Sequence, residues 1–318
     1  MAKSTAIQSG AISTPLRGWG VQVRRTLRKP QFWFGAFILV PLLAWYIIFG
    51  FWPIIRAFRM AVTDYQLLDP AASPFVGLKH FRMLFDYELF WISLKNTLLY
   101  AAAFYAIMLP LALLVAVALA AVKRGRNLYQ ALIFIPVVVS LVAISLLFKM
   151  LMDPQVGQLN AILRALGLPS SRFLSGPESA LLSVVAVDVW KALGFYVIIL
   201  TAGILNIPEE MYDAAKVDGA GAWPRFRHIT IPLLAHTLAL ICVLIAMHGL
   251  QVFTQVVVMP PQAGGPGRAT YVMNLLVYNE AFMNLRFGFA TATSFVLFLF
   301  ILVITFIQFR VIRPKWSY

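Results

Sequence analysis

The chain has almost no cysteine and little charge. Cys242 is its only cysteine among 318 residues, so no disulfide can form within the chain, and the residue gives no information about redox compartment. Charged residues make up 12% of the sequence and hydrophobic residues 61%. Since an ordinary soluble domain carries about 25% charged residues, the composition is too apolar for a soluble domain and favours a membrane protein.

Six long runs of the sequence are almost entirely apolar. Each meets or approaches the roughly 20 residues that a helix needs to cross a bilayer core of about 30 Å. The predicted spans are about 32–55, 96–122, 127–150, 181–205, 231–259 and 287–309. The loops between them are short and show no alternating strand pattern, so we predict an all-α integral membrane protein with six transmembrane helices.

Acidic residues are scarce: 12 stand against 26 lysines and arginines, a net charge of +14. Nucleic-acid binding is one explanation, but orientation in a membrane accounts for the charge better, because cytoplasmic loops hold the excess of basic residues. With both termini in the cytoplasm, fifteen basic residues lie in inner segments and nine in the longer outer loops. We therefore predict cytoplasmic termini, a basic cytoplasmic tail at 1–30 and a transmembrane domain at 31–318.

The sequence also lacks the motifs of nucleotide-binding and catalytic sites. It has no G-x-x-x-x-G-K-[S/T], and Gly219-Ala220-Gly221 lacks the third glycine of a dinucleotide fingerprint. It has no H-E-x-x-H, no paired acids and no nucleophile elbow. A membrane-embedded enzyme is thus disfavoured, and we expect no catalytic residue, no metal site and no cofactor on this chain.

One stretch, 207–232, is too polar for lipid and lies between two apolar runs; we call it the central loop. It holds four of the twelve acidic residues. Asn206, Pro208 and Glu209 have the pattern of a capping box, which predicts a helix that begins near residue 207. Gly219 is the expected stop, since glycine accepts the left-handed conformation that ends helices. On this physics alone the central loop is either an ordinary helical hairpin or a docking surface.

Part of the central loop resembles the EAA loop of ABC importer permeases. That signature is Glu-Ala-Ala, a glycine six residues after the Glu, then Ile-x-Leu-Pro. Here Asp213-Ala214-Ala215, Gly219 and 229–232 match it, with Asp in place of Glu and Ile231 in place of Leu. Residues 33–65, 75–85, 157–168 and 264–282 are similar to the maltose-type (carbohydrate) permeases of that family, whereas 1–28 are not covered.

The resemblance implies a type I ABC importer permease in the bacterial cytoplasmic membrane. Its implied partners are a second, distinct permease subunit, a dimer of separate ATPase subunits that hold ATP and Mg²⁺, a solute-binding protein and the surrounding lipid. The implied cargo is a sugar or oligosaccharide, with an acidic sugar as a further option. The implied ATPase-coupling surface consists of Asp213, Ala214, Ala215, Asp218 and Gly219.

Polar residues in the fourth and fifth runs are the candidates for a substrate pathway. Such groups usually face the protein interior or a water-filled cavity, although hydrogen bonds between helices explain them equally simply. The candidates are Trp190, Tyr196, His248, Gln251, Thr254 and Gln255. Asp188 and Lys191, at i and i+3, are expected either to form a local ion pair or to line the mouth of the pathway.

The rival function is an ion-gradient-driven secondary transporter of a small polar solute. Such a protein needs intramembrane carboxylates as ion sites and shows broken-helix repeats. The predicted spans offer one carboxylate, Asp188, and no such repeat. Identification of an ATPase partner would discriminate between the two functions.

Overall fold

The structure is a computed structural model that describes residues 30–69 and 72–311. Within these ranges the regular structure is helical, apart from one isolated antiparallel bridge between Thr63 and Phe75. The predicted basic tail, 1–30, lies outside the described residues except for Pro30.

The helices follow one another along the chain with short connections. The first half contains α1 (Pro30–Tyr46), a π-helical turn (Ile47–Phe51), α2 (Trp52–Ala61), α3 (Lys79–Phe85), α4 (Glu88–Ala121), α5 (Arg126–Val138), α6 (Leu141–Leu151) and α7 (Gln158–Ala165). The second half contains a 3-10 turn (Phe173–Ser175), α8 (Ala180–Leu205), α9 (Glu209–Val217), α10 (Ala222–Arg225), a π-helical turn (Phe226–Thr230), α11 (Ile231–Leu233), α12 (Ala235–Leu250), α13 (Thr254–Val258), a 3-10 turn (Pro266–Arg268), α14 (Met273–Tyr278), a π-helical turn (Asn279–Met283) and α15 (Phe287–Val311).

Five segments of the described chain are long and apolar enough to cross a membrane. They are Pro30–Ala61, Glu88–Ala121, Ala180–Leu205, Ala235–Val258 and Phe287–Val311. Helices α5 and α6 add a sixth if the pair counts as one span, although the two are bent by 88° at their junction. The mostly helical, apolar architecture confirms the predicted class, whereas the count of six and the cytoplasmic placement of the termini stay predictions.

The described residues from Pro30 to Ala57 belong to a unit of their own. None of its described residues, from Pro30 onward, is buried, and the apolar side chains of α1 point in all directions. A helix that is apolar on every side is suited to lipid or to another protein rather than to water.

The core of the second unit, which begins at Phe58, is built on the contact between α4 and α8. One stripe of α4 recurs every four residues and is fully buried: Tyr100, Phe104, Met108, Ala112 and Ala116. Four-residue spacing keeps side chains on one helix face. In lipid this face gains no hydrophobic driving force, so close van der Waals packing must hold the helices together.

Two glycines show how closely the helices approach. A Cβ atom on Gly249 of α12 would lie 2.9 Å from the Cα atom of Ala101 in α4. A Cβ atom on Gly194 of α8 would collide with the backbone carbonyl oxygen of Ile133 in α5. Glycine is therefore required at both crossings, because any side chain would force the backbones apart.

A buried carboxylate joins the beginning of α4 to the region before α15. Glu280 is 1% exposed and accepts hydrogen bonds from the Tyr87 hydroxyl at 3.2 Å and from Arg286 Nη1 at 3.2 Å. The Arg286 guanidinium also lies over the ring of Phe289. Burial is the main cause that raises the pKa of the Tyr87 hydroxyl, and the charge of the neighbouring Glu280 carboxylate is the second.

Three predicted spans differ from the helices observed. The run predicted to begin at 96 begins at Glu88, because the chain turns at Asp86 and Tyr87 and then continues as one 34-residue helix. The run predicted at 127–150 is two helices, because the backbone leaves the helical region at Val139 and Ser140, where ψ is 143° and 131°. The run predicted at 231–259 is interrupted at 251–253.

Candidate functional site

The central loop is a helix, a glycine turn and a second helical segment, as predicted. Helix α9 ends where Gly219 takes a φ of +76°. The backbone N–H of Ala220 donates to the carbonyl of Ala215 at 2.8 Å, and that of Gly219 donates to the carbonyl of Lys216 at 3.0 Å. These two bonds form a Schellman motif, which closes the helix end and requires the left-handed residue at its centre.

The predicted capping box at the beginning of α9 is wrong. The N-cap residue is Pro208, and no side chain caps the helix. Asn206 instead ends α8, where its backbone N–H donates to the carbonyl of Ala202 at 3.2 Å. Asn206 therefore belongs to the end of α8 and not to the beginning of α9. Glu209 and Glu210 still occupy the first turn of α9, where negative charge is favourable.

The five predicted coupling residues lie on the outside of the central loop. Asp213, Ala214, Asp218 and Gly219 are exposed, and Ala215 is half-buried. The Asp213 carboxylate accepts a hydrogen bond from Lys216 Nζ at 2.7 Å, and this bond, with the lysine charge second, holds the pKa of the carboxyl below its usual range. The pair is exposed, so it adds little stability and leaves the surface accessible.

Three large apolar side chains beside these residues were not predicted as part of the surface. Met211, Val217 and Trp223 are all exposed, Val217 at 88%. In the sequence they occupy ordinary helix positions, so hydropathy alone does not predict their exposure. The central loop thus presents small and apolar residues together.

A hydrogen bond joins the two halves of the central loop. The Tyr212 hydroxyl and the Thr230 hydroxyl lie 3.0 Å apart, which joins α9 to the π-helical turn. A cavity of about 490 Å³ lies between the end of α4, the end of α8 and the loop, and Lys123 and Ile204 are among its lining residues. The end of α8 and helix α9 therefore line the same cavity.

A second constellation is centred on Asp188 of α8, which is 1% exposed. Its Oδ2 atom accepts a hydrogen bond from the Tyr100 hydroxyl at 2.7 Å and lies 2.9 Å from His248 Nε2. Its Oδ1 atom accepts a hydrogen bond from Gln255 Nε2 at 2.8 Å. The His248 ring also stacks on Phe104, with centroids 4.7 Å apart. A buried carboxylate needs such partners to offset desolvation.

The predicted ion pair between Asp188 and Lys191 is wrong. Lys191 Nζ donates instead to the backbone carbonyl of Val137, at 3.2 Å, near the end of α5. The two side chains lie one helical turn apart but bond to different partners, because three groups from other helices already satisfy the Asp188 carboxylate.

The structure brings together three of the six predicted pathway residues. Tyr196, His248 and Gln255 line one cavity of about 370 Å³. Its other lining residues are Val137, Leu141, Asp188, Lys191, Ala192, Phe195 and Leu244. This volume falls in the range of small-molecule sites.

The other three predicted pathway residues lie outside that lining. Trp190 packs against Phe148, with ring centroids 5.3 Å apart. Gln251 is exposed at the end of α12, and Thr254 begins α13. The predicted common helical face of 251, 254 and 255 does not exist, because the helix is interrupted at 251–253.

No cluster of three or more potential metal ligands is present in 30–69 and 72–311. The polar groups around Asp188 are hydroxyl, imidazole and amide donors. Each of these donors is engaged by the Asp188 carboxylate, so the four residues form a satisfied polar cluster beside the cavity.

Comparisons with known proteins agree on one family. The family model described as "Binding-protein-dependent transport system inner membrane component" matches residues 108–317. The diacetylchitobiose uptake system permease protein NgcF of Streptomyces coelicolor is 34% identical over 292 residues, covering 88% of this chain and 82% of that protein. The trehalose/maltose transport system permease protein MalF of Thermococcus litoralis is 31% identical, covering 88% and 93%.

Other relatives have names that refer to charged substrates. The sn-glycerol-3-phosphate transport system permease protein UgpA of Agrobacterium fabrum is 31% identical, covering 88% of this chain and 95% of that protein. A crystal structure of a bacterial ABC transporter involved in the import of the acidic polysaccharide alginate matches with a TM-score of 0.79 and 27% identity, covering 95% of this chain and all of that chain.

Proposed function

Since the chain belongs to the family of binding-protein-dependent transport system inner membrane components, we propose that it is one permease subunit of an ATP-driven ABC importer for a sugar or oligosaccharide. The relatives are permeases, so the chain is a multi-pass membrane transport component and not an enzyme. The single observation that carries the ATP-driven mechanism is the central loop, a helix closed by Gly219 that exposes small and apolar residues.

The proposed role of the central loop is to dock in a groove of an ATPase subunit. Ala214 and Ala215 allow close approach, and Asp213 and Asp218 offer acceptors at the rim. The exposed side chains of Met211, Val217 and Trp223 supply the apolar area that an interface needs. ATP and Mg²⁺ are then bound by the ATPase subunits, and this chain contributes only the surface that receives their movement.

The proposed cargo is an oligosaccharide delivered by a solute-binding protein. Relatives named for diacetylchitobiose and for trehalose/maltose support a carbohydrate, and the neighbour named for alginate supports an acidic one. A second solved structure, of the alginate transporter with its pentasaccharide-bound periplasmic protein, supports the binding protein. A second permease subunit is proposed to complete the pathway, with lipid around both in a bacterial cytoplasmic membrane.

The proposed substrate pathway passes through the cavity beside α8 and α12. Tyr196, His248 and Gln255 line it, and the aromatic ring of Tyr196 is suited to pack against the apolar face of a sugar. The ion-driven alternative is less well supported, because the Asp188 carboxylate is already occupied by three protein donors and is not open to a coupling ion.

The experiment that tests the proposed cargo is transport by the complete complex in proteoliposomes. The probes are diacetylchitobiose, trehalose, maltose, sn-glycerol-3-phosphate and alginate oligosaccharides, each supplied with the solute-binding protein of the system. The proposal predicts ATP-dependent uptake of at least one saccharide. Uptake of sn-glycerol-3-phosphate alone would overturn the saccharide assignment while leaving the transporter class intact.

A further inference from the structure

Two interrupted helices border the same cavity. The first break separates α5 from α6 at residues 139–140, and Val137 and Leu141 line the cavity on its two sides. The second separates α12 from α13 at 251–253, and His248 and Gln255 line the cavity on its two sides. Backbone that leaves the helix within a membrane exposes polar groups that the protein itself must satisfy.

Lys191 of α8 contacts the backbone at the first break. Its ammonium donates to the carbonyl of Val137, one of the last four carbonyls of α5 that have no partner within the helix. A positive charge is favourable at this negative helix end. One turn further along α8, Gly194 lies directly against the Ile133 carbonyl, so the two backbones are in contact. Helix α8 therefore holds the end of α5 by both charge and packing.

Asp188 of α8 contacts side chains on both sides of the second break. His248 lies in the last turn of α12 and Gln255 in the first turn of α13, and both contact the same carboxylate. One carboxylate thus bridges the interruption from end to end. Tyr100 of α4 contacts it as well, so the bridge is anchored to the core.

These two side chains lie one turn apart on one continuous helix. From Lys191, α8 runs without interruption to Leu205, about 21 Å at 1.5 Å per residue, and the central loop follows at once. We propose that Asp188 and Lys191 are positioning residues that form a two-armed clamp, through which movement of the central loop along α8 displaces both helix breaks together and so opens or closes the cavity. The clamp rests on the proposed transport function and adds how the cavity is regulated.

The test measures each break with its own reporter in the complete reconstituted complex. Cys242 is replaced by serine, and a single cysteine is introduced at Ser140→Cys for the first break or at Gln251→Cys for the second; both positions are exposed. The rate of maleimide labelling is measured without nucleotide and after trapping of the ATPase subunits with ATP and vanadate. The clamp predicts that trapping changes the labelling rate at both reporters.

Each arm of the clamp is then removed in turn. Lys191→Met should abolish the change at the 140 reporter and keep it at the 251 reporter, whereas Asp188→Asn should do the reverse. Lys191→Arg, which keeps the charge and the donors, should restore the first change. A charge-assisted bond shifts an equilibrium by about tenfold or more, so the loss is large enough to detect.

The opposite results would overturn the clamp. These are no change at either reporter in the otherwise unaltered complex, retention of both changes in both variants, or loss of both changes in one variant that still assembles with the ATPase. A merely structural role would lower assembly and both responses alike, and Lys191→Arg would then not selectively restore the change at the 140 reporter. Failure of the transport function itself is separate, because the unaltered complex would then show no ATPase stimulation by loaded binding protein.

Discussion

Replacement of Gly219 by valine tests the backbone conformation on which the central loop depends. The residue has a φ of +76°, and a Cβ atom added there meets no atom within 4 Å. The substitution therefore adds no steric contact with neighbours and acts only through the left-handed backbone. That conformation costs an L-residue roughly 1–2 kcal/mol, and a β-branched side chain is among the least tolerant.

The expected consequence is a loss of coupling. About 1–2 kcal/mol lowers the population of the closed Schellman turn by a factor of roughly five to thirty. The bonds from Ala220 to Ala215 and from Gly219 to Lys216 then open, and the docking surface loses its shape. We expect ATPase stimulation by loaded binding protein to fall by about tenfold, while the subunit still inserts in the membrane.

Gly221→Val is the matched control for this prediction. Gly221 has a φ of −68°, and its added Cβ atom meets only Pro224 Cδ, at 3.9 Å. Valine fits there without strain, so stimulation should remain close to that of the unaltered complex. Gly219→Asn should lie between the two variants, because asparagine tolerates the left-handed region. Normal ATPase stimulation in Gly219→Val, or an equal loss of stimulation in Gly221→Val, would contradict the role of the left-handed backbone at 219.

Three further predictions concern other parts of the chain. Val217→Ser should weaken binding of the ATPase, measured by co-purification, about tenfold, since burial of a valine contributes roughly 1.5–3 kcal/mol. The control is Val156→Ser, which should leave binding unchanged; Val156 is 85% exposed and Val217 is 88% exposed. In thermal unfolding, Gly194→Ala should destabilise the fold by about 1–3 kcal/mol, because the added methyl group overpacks against backbone. Gly35→Ala is the neutral control, since a Cβ atom there meets nothing within 4 Å. The pKa of Tyr87 is raised in the folded state, so the stabilisation that the tyrosine contributes is complete below its ordinary pKa of 10.0 and is lost as pH rises above it. Tyr87→Phe should therefore flatten the alkaline decline in unfolding temperature. An unchanged profile would contradict the assignment.

Local features of the chain could be predicted from the sequence, because their causes lie within a few residues. Gly219 ends its helix as expected, since the Schellman bonds span only residues 215 to 220. The missed capping box shows the limit of local patterns: Asn206 matched a helix start, yet it completes α8, which competes for the same residue. The bend after α5 comes from extended backbone at Val139 and Ser140, which a hydropathy pattern does not detect.

The arrangement around Asp188 could not be predicted from the sequence. Its partners Tyr100, His248 and Gln255 are 88, 60 and 67 residues away along the chain. Spacing on one helix suggested Lys191 as the partner, but helix packing decides which donors reach the carboxylate. Gln251 and Thr254 of the fifth run were misplaced for the same reason, because a continuous helix was assumed across 251–253.

Whether uptake is driven by ATP or by an ion gradient separates the two transporter classes. The complete complex is reconstituted in proteoliposomes with a saccharide, its binding protein and internal ATP, and ionophores then collapse the proton and sodium gradients. An ATP-driven importer continues uptake under ionophores and stops when ATP is removed. Uptake that ends with the gradients and persists without ATP would contradict the ATP-driven mechanism, and would assign the chain to the ion-driven class instead.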